Sequence, residues 1–220
     1  MSFISLHSIL SQSEVNGPGE RLVIWFQGCS KGCVGCFNPG TWKSSRNWLE
    51  TPQRLAEYVI SSNPGGLTLT GGDPLEQPTV LLEFLKELHK GVPESLRADF
   101  LPRGIICFTG YRLDELRGTA LECVDYCDLL IDGRYVQELH YTNGLAGSSN
   151  QEFHFSSHSG RGEARIKREE ILIDHSIEVH VDAEDASLIR VTGFPHVDRK
   201  FLKNLGLSID DSSDRSDLGV

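Results

Sequence analysis

The chain has 220 residues, with 21 basic against 31 acidic side chains and a formal net charge of −10. That length suits one sizeable core and falls short of two ordinary domains, and the acidic balance argues against a nucleic-acid polymer as partner. No run approaches the ~18 apolar residues of a membrane span, and the N-terminal MSFISLHSILSQSEV has neither a basic n-region nor a small-residue cleavage site, so a cytoplasmic chain with reduced thiols is expected.

Residues 3–10 (FISLHSIL) alternate loosely and predict an opening strand, followed by a turn at Asn16-Gly17-Pro18-Gly19. Residues 21–27 (RLVIWFQ) form a buried-strand candidate, and a cysteine-rich loop follows at once. Thr51-Pro52 predicts a helix start, with Thr as N-cap and Pro in the first position. A short strand over 66–70 ends in Gly71-Gly72, and 79–90 (TVLLEFLKELHK) predict a strongly amphipathic helix. A third core strand is expected over 104–109, a helix over 113–126 and a fourth strand over 128–132. Strands and helices thus alternate from about 20 to 135, which implies parallel strands joined by crossover helices in a barrel or partial barrel. In such α/β folds the chemistry collects at the C-terminal ends of the strands. The cysteine loop, Gly71-Gly72-Asp73, Thr109-Gly110 and Asp132 all fall there.

Past residue 150 the pattern changes: 154–163 are polar and turn-like, 171–182 alternate, 188–192 suggest a short strand, and the acidic, Ser-rich 208–220 read as disordered. The expected organisation is a core over 1–155, a C-terminal extension over 156–207 and a disordered tail over 208–220.

Cys29, Cys33 and Cys36 are separated by three and two residues on one loop with glycines at 28, 32 and 35. Three thiolates so placed can ligate three irons of a cubane and leave the fourth open, and soft thiolates suit iron–sulfur clusters or zinc. Zinc would want a fourth protein ligand, and the bland reading is three buried free thiols. Cys107, Cys123 and Cys127 lie in predicted strand and helix, where an auxiliary cluster competes with ordinary apolar packing. His154, His158, His175 and His180 show no convincing zinc spacing.

Cys-x3-Cys-x2-Cys after a first strand resembles the radical S-adenosylmethionine enzymes. More narrowly, GPGERLVIWFQGCSKGCVGCFNPGTW is similar to the activating enzymes of glycyl-radical proteins. The likeness continues through Thr70-Gly71-Gly72-Asp73-Pro74-Leu75, Thr109-Gly110-Tyr111, DLLIDGRYV and Gly147-Ser148-Ser149-Asn150-Gln151, covering about 3–153. Phe37 follows the third cysteine, as in this branch, whereas Ala146 stands where the family tends to have Arg.

The resemblance implies a partial (βα) barrel of the radical S-adenosylmethionine type, with Cys29, Cys33 and Cys36 holding one 4Fe–4S cluster. It implies S-adenosylmethionine as second cofactor, with its ammonium at Gly71, Gly72, Asp73 and Pro74. Asp132 would lie near that cofactor, through a bound cation, or be a turn-forming residue; Phe37 would pack on the adenine or in the core. Ser148, Ser149 and Asn150 would either bond the cofactor or order a loop. The implied activity is reductive cleavage of S-adenosylmethionine, fed by flavodoxin or a similar donor. The implied target is a glycine of a glycyl-radical enzyme, anaerobic ribonucleotide reductase first among them. The rivals are a radical enzyme acting on a small molecule or peptide, and a non-enzymatic iron–sulfur or zinc module.

Overall fold

The computed structural model describes residues 2–44, 48–96, 99–140, 144–157, 161–172, 177–181 and 189–193. The core elements are β1 (Ile4–Ser13), β2 (Arg21–Phe26), β3 (Trp48–Glu50), α1 (Pro52–Ser62), β4 (Leu67–Gly71), α2 (Pro78–Gly91), β5 (Ile105–Phe108), α3 (Gly118–Val124), β6 (Leu129–Asp132) and β7 (Glu152–Phe155). The strands form one seven-stranded sheet in the order β3-β1-β2-β4-β5-β6-β7. Its centre, β2-β4-β5-β6, is parallel. Antiparallel strands flank it, β1 and β3 on one side and β7 on the other. Among the described residues the sheet stays open and does not close into a barrel. The mixed α/β architecture with a mostly parallel sheet matches the sequence pattern at that level.

The centre adds strands in chain order, so right-handed crossovers place successive helices on one face. α1 begins where Thr51 Oγ1 accepts the Arg54 N–H at 3.3 Å and ends at Asn63, whose φ of +43° is left-handed. α2 buries Leu81, Leu82, Phe84, Leu85 and Leu88 against Leu55 and Val59 of α1 and Leu22, Ile24, Leu67 and Leu69 of the sheet. Each such burial contributes roughly 1.5–3 kcal/mol.

The helix expected over 113–126 is broken. A 3-10 turn covers Leu113–Glu115, Leu116 is extended, and α3 starts only at Gly118, whose φ is +54°. The Glu115 side chain folds back on the Arg112 N–H at 2.8 Å and closes the first turn separately. A second difference is β7: His154 and Phe155, read as turn, pair with Leu130 and Leu129 at the sheet edge.

Arg21 is fully buried at the start of β2 and donates all five of its N–H groups. Nε reaches Thr68 Oγ1 at 2.8 Å, Nη1 reaches the Pro18 and Arg103 carbonyls at 3.3 and 2.9 Å, and Nη2 reaches Leu67 and Gly104 at 2.8 Å each. An added Cβ at Gly17, with φ of +140°, would stand 2.7 Å from Arg21 Cδ, so this turn glycine makes room for the guanidinium. Burial pulls the group down to about 9, which leaves it charged at neutral pH.

Described residues past β7 pack on the other face and the far end of the sheet. Ile166 and Ile171 pack with Ile106, Leu129, Ile131 and Leu145. Arg165 of α4 (Arg161–Arg165) lies 3.7 Å from Asp128, just before β6. A hairpin of β8 (Ile177–Val181) and β9 (Ile189–Gly193) meets the turn before β2, where Glu178 accepts the Glu14 N–H at 2.6 Å and Asn16 donates to Thr192 at 2.9 Å. These contacts lie at the N-terminal ends of the parallel strands, opposite the cysteine loop. A cavity of about 370 Å³ opens there too, lined by Leu88, Phe100, Ile105, Tyr126, Asp128 and Arg165 among others. The tail over 208–220 lies outside the described residues, and among those no helix is long and apolar enough to cross a membrane.

Candidate functional site

The four parallel strands deliver four loops to one edge of the sheet, and these loops bond to one another. The Gly72 N–H donates to Phe26 O at 2.8 Å and the Asp73 N–H to Gly28 O at 2.9 Å, which joins the β4 loop to the root of the cysteine loop. An added Cβ at Gly71, with φ of +97°, would stand 2.7 Å from Phe26 N, and one at Gly72 would collide with the Gly28 carbonyl oxygen. Both glycines are therefore required by backbone approach between loops. The root is braced by two glutamines. Gln77 donates to Ser5 O and Gln27 O at 3.0 Å each, and Gln27 donates to Gly40 O at 3.1 Å and Lys43 O at 2.6 Å.

Cys29, Cys33 and Cys36 are half-buried on this loop. The Cys29 N–H donates to Trp42 O and the Cys36 N–H to Cys33 O, at 3.1 Å each. Burial pushes the Cys29 thiol up to about 11, with added charge from Asp73, Glu76 and Cys36. Cys33 is also raised, first by burial and next by Cys36. Cys36 thus stands close enough to influence both other thiols. Gly28, Gly32 and Gly35 have φ of +110°, +59° and +74°, and an added Cβ at Gly32 would meet nothing within 4 Å. Among the described residues no three side chains already stand in a metal-holding arrangement. The donor set of three soft thiols on one glycine-jointed loop fits an iron–sulfur cubane with one open iron, and fits zinc poorly for want of a fourth donor.

Asp73 is 1% exposed. Its carboxylate accepts the Thr109 hydroxyl at 2.9 and 3.1 Å, the Gly110 N–H at 2.9 Å and the Leu75 N–H at 3.0 Å. Burial holds its carboxyl above the ordinary range against the pull of these bonds. The side chain thus ties the β4 and β5 loops together, and buried Pro74 opens the 3-10 turn Pro74–Glu76 beside it. Lys31 of the cysteine loop lies over the Tyr111 ring, 3.0 Å from its centroid.

Asp132 ends β6 and is 1% exposed. Oδ2 accepts the Leu113 N–H at 2.6 Å. His154 Nε2 stands 2.9 Å from Oδ2 but without hydrogen-bond geometry, and Oδ1 has no partner among the described residues. Phe37 packs edge-on to Tyr135 at 5.8 Å and beside His140 at 6.3 Å between ring centroids. Of the two readings of the Ser-Ser-Asn-Gln segment, loop ordering is what the bonds display. Gln151 accepts from Gly147 and Ser148 at 2.8 and 3.1 Å and donates to Gly133 O at 2.9 Å. Ser148 Oγ accepts the Val136 N–H at 3.1 Å, and Asn150 donates to Arg134 O at 2.9 Å. The segment holds the loop that carries Tyr135.

Cys107, Cys123 and Cys127 are buried together on the helix-covered face. Cys123 donates to Pro78 O at 3.4 Å and Cys127 to Cys123 O at 3.6 Å. His180 pairs with Glu178 at 3.3 Å, and His158 and His175 lie outside the described residues. The glutamine brace, Arg21 and the Tyr135–His140 pair went unread in the sequence. Only Arg21 had a signal, a lone cation opening an otherwise apolar strand.

A model of the 4Fe-4S single cluster domain matches residues 15–154. The anaerobic ribonucleoside-triphosphate reductase-activating protein of Escherichia coli (strain K12) is 32% identical over 157 residues, spanning 69% of this chain and 98% of that protein. Its namesake from Enterobacteria phage T4 is 36% identical over 140 residues, 62% of this chain and 85% of its own. The Salmonella typhimurium protein of that name is 33% identical over 148 residues, 64% and 91% respectively.

Proposed function

The chain belongs to the 4Fe-4S single cluster domain family and to the family of anaerobic ribonucleoside-triphosphate reductase-activating proteins, and from that premise we propose how its residues serve the activity. The protein is an activase of anaerobic ribonucleotide reductase that carries one 4Fe–4S cluster. The reading includes S-adenosylmethionine as second cofactor, a glycyl radical on the partner enzyme as product, flavodoxin or a similar donor, and a cytoplasmic setting. The observation that carries it is the three-cysteine loop held by backbone bonds against the Gly71–Gly72 strand end.

When bound, the cluster supplies the single electron that cleaves the sulfonium of S-adenosylmethionine. Cys29, Cys33 and Cys36 would hold it through their three thiolates. Gly71, Gly72 and Pro74 would offer main-chain carbonyls to the ammonium of S-adenosylmethionine, while Asp73 keeps that backbone in place through Thr109 and Gly110. Asp132 brings an unpaired carboxylate oxygen to the same edge, and Phe37 with Tyr135 and His140 brings an aromatic face. An open partial barrel over 1–155 leaves room for the partner's glycine loop to complete the site and exclude water. The described residues of the proposed extension over 156–207 pack away from the cysteine edge, which leaves that edge for docking.

The test is an anaerobic mixture of reduced protein, S-adenosylmethionine and the candidate reductase, read by electron paramagnetic resonance. A glycyl doublet that vanishes when the reductase glycine is replaced by alanine is the expected result. Cleavage of S-adenosylmethionine without a radical on any glycyl-radical protein of the source would favour a small-molecule or peptide substrate. No cleavage and no iron would leave only a non-enzymatic module.

A further inference from the structure

We infer that Glu76 is a positioning residue for the cluster-binding loop, acting through Ser30, an inference that rests on the reading of Cys29 as a cluster ligand. The turn after β4 grips the chain on both sides of Cys29. On one side the Asp73 N–H donates to Gly28 O at 2.9 Å. On the other, Glu76 Oε1 accepts the Ser30 N–H at 2.8 Å and the Ser30 hydroxyl at 2.5 Å. The Cys29 N–H itself is held by Trp42 O at 3.1 Å. The first ligand is therefore fixed from before, at and after its own position.

Glu76 is suited to this by its anchorage. It closes the 3-10 turn Pro74–Glu76, its N–H donates to Asp73 O at 3.0 Å, and Asp73 in turn caps Leu75 at 3.0 Å. The carboxylate thus projects from a turn that is itself tied to β5. A carboxylate oxygen taking two donors makes charge-assisted bonds, stronger than neutral ones. The grip relaxes farther along the loop. Past Lys31, Gly32 has φ of +59° with open space around an added Cβ, and the Cys36 N–H donates to Cys33 O within the loop. The first ligand is held by the strand ends, whereas Cys33 and Cys36 lie past Gly32, where Gly35 faces Gln137 and the Asn38 N–H donates to Cys36 Sγ at 3.4 Å. The functional consequence is retention: Glu76 sets how firmly the loop holds its cluster.

The experiment uses the full chain, reconstituted anaerobically, with iron release to bathophenanthroline disulfonate followed in time. Amide exchange at Ser30 is measured on the metal-free chain. Glu76→Ala should release iron about tenfold faster and lose protection at Ser30, because two charge-assisted bonds disappear. Glu76→Gln keeps an acceptor oxygen and should stay within about twofold of wild type. If Glu76→Ala does not fold, Ser30→Ala carries the test; it removes one of the two bonds, so release about threefold faster is expected. Wild-type release rates in Glu76→Ala, or in Ser30→Ala where that replaces it, overturn the inference. Cys29→Ala is run beside them: if it keeps all its iron, the ligand assignment fails and the inference with it. If Cys29→Ala loses iron while Glu76→Ala behaves as wild type, only the positioning role falls.

Discussion

Asp73 and Thr109, 36 positions apart, are joined across two strand ends by the Thr109 hydroxyl, which donates to the Asp73 carboxylate at 2.9 and 3.1 Å. With the Gly110 and Leu75 N–H groups also on this carboxylate, the bond network holds the Gly-Gly segment against the cysteine loop. A buried charge is tolerated only when so satisfied.

Asp73→Ala should therefore destabilise the fold by about 2–4 kcal/mol, and Asp73→Asn by about 1–2 kcal/mol, since the amide loses its acceptor for Gly110. Chemical denaturation checks both. The pH dependence has a defined sign. The folded carboxyl lies above its ordinary range because of burial, so the folded state takes up a proton before the unfolded one does. Wild type should gain stability relative to Asp73→Asn as pH falls through the folded value, with the full gain present below the unfolded one. A difference that widens in favour of Asn on acidification would show the carboxyl to be depressed instead.

Arg21 makes a second long-range brace, and its loss should be among the costliest single changes. Arg21→Met removes one donor from each of the Leu67, Gly104 and Arg103 carbonyls and from the Thr68 hydroxyl. About 3 kcal/mol is expected, or a thermal midpoint lower by roughly 6–12 °C for a chain of this size. Arg21→Lys keeps the charge but not the fork, and should recover less than half of that. Recovery of the full wild-type midpoint by lysine would show that charge alone matters here.

These two braces mark where sequence reading stops. β2, β5 and β6 were legible as short, mostly apolar runs, the pattern of a strand covered on both faces, and β4 as an alternating Leu-Thr-Leu-Thr run that ends at Gly71-Gly72. The order of the loops after them made the site edge legible too. The helix expected over 113–126 was overextended because its apolar periodicity runs on through extended Leu116 and left-handed Gly118, where α3 begins. β7 was missed because Glu152–Phe155 is a four-residue edge strand whose second half runs into the polar stretch after it. The Gly-Gly-Asp turn could be placed but not explained. Its glycines face the cysteine loop's backbone and its aspartate faces Thr109, contacts between distant segments that no local pattern encodes.

Gly72 follows from that geometry. A Cβ there collides with the Gly28 carbonyl, next to Cys29, so Gly72→Ala should disturb the cysteine loop as well as the face offered to S-adenosylmethionine. Lower iron content on reconstitution and weaker binding of S-adenosylmethionine by calorimetry are both expected. Weaker binding with iron content unchanged would mean that the loop absorbs the methyl group, and that only the cofactor face is altered.

The six cysteines fall into two sets with opposite environments, and iron counting separates them. Cys29, Cys33 and Cys36 are half-exposed on a loop with glycine joints, whereas Cys107, Cys123 and Cys127 are buried in the helix-covered core. Cys107 is held well above the ordinary thiol range by its bond to Cys127 and by burial, as expected of a protonated core thiol. Cys123 is pushed up to about 12, chiefly by burial. Metal binding to this second set would require expelling protons and opening the packing around Leu130 and Leu82. Anaerobically reconstituted wild type should hold about four irons. Alanine at Cys29, Cys33 or Cys36 should abolish the stable cluster with little effect on the melting of the metal-free chain, because these side chains support no core. Alanine at Cys107 or Cys127 should keep all the iron and cost about 1 kcal/mol of stability through the lost sulfur packing. If Cys123→Ala and Cys127→Ala each halve the iron, the core thiols ligate a second cluster and the single-cluster reading fails.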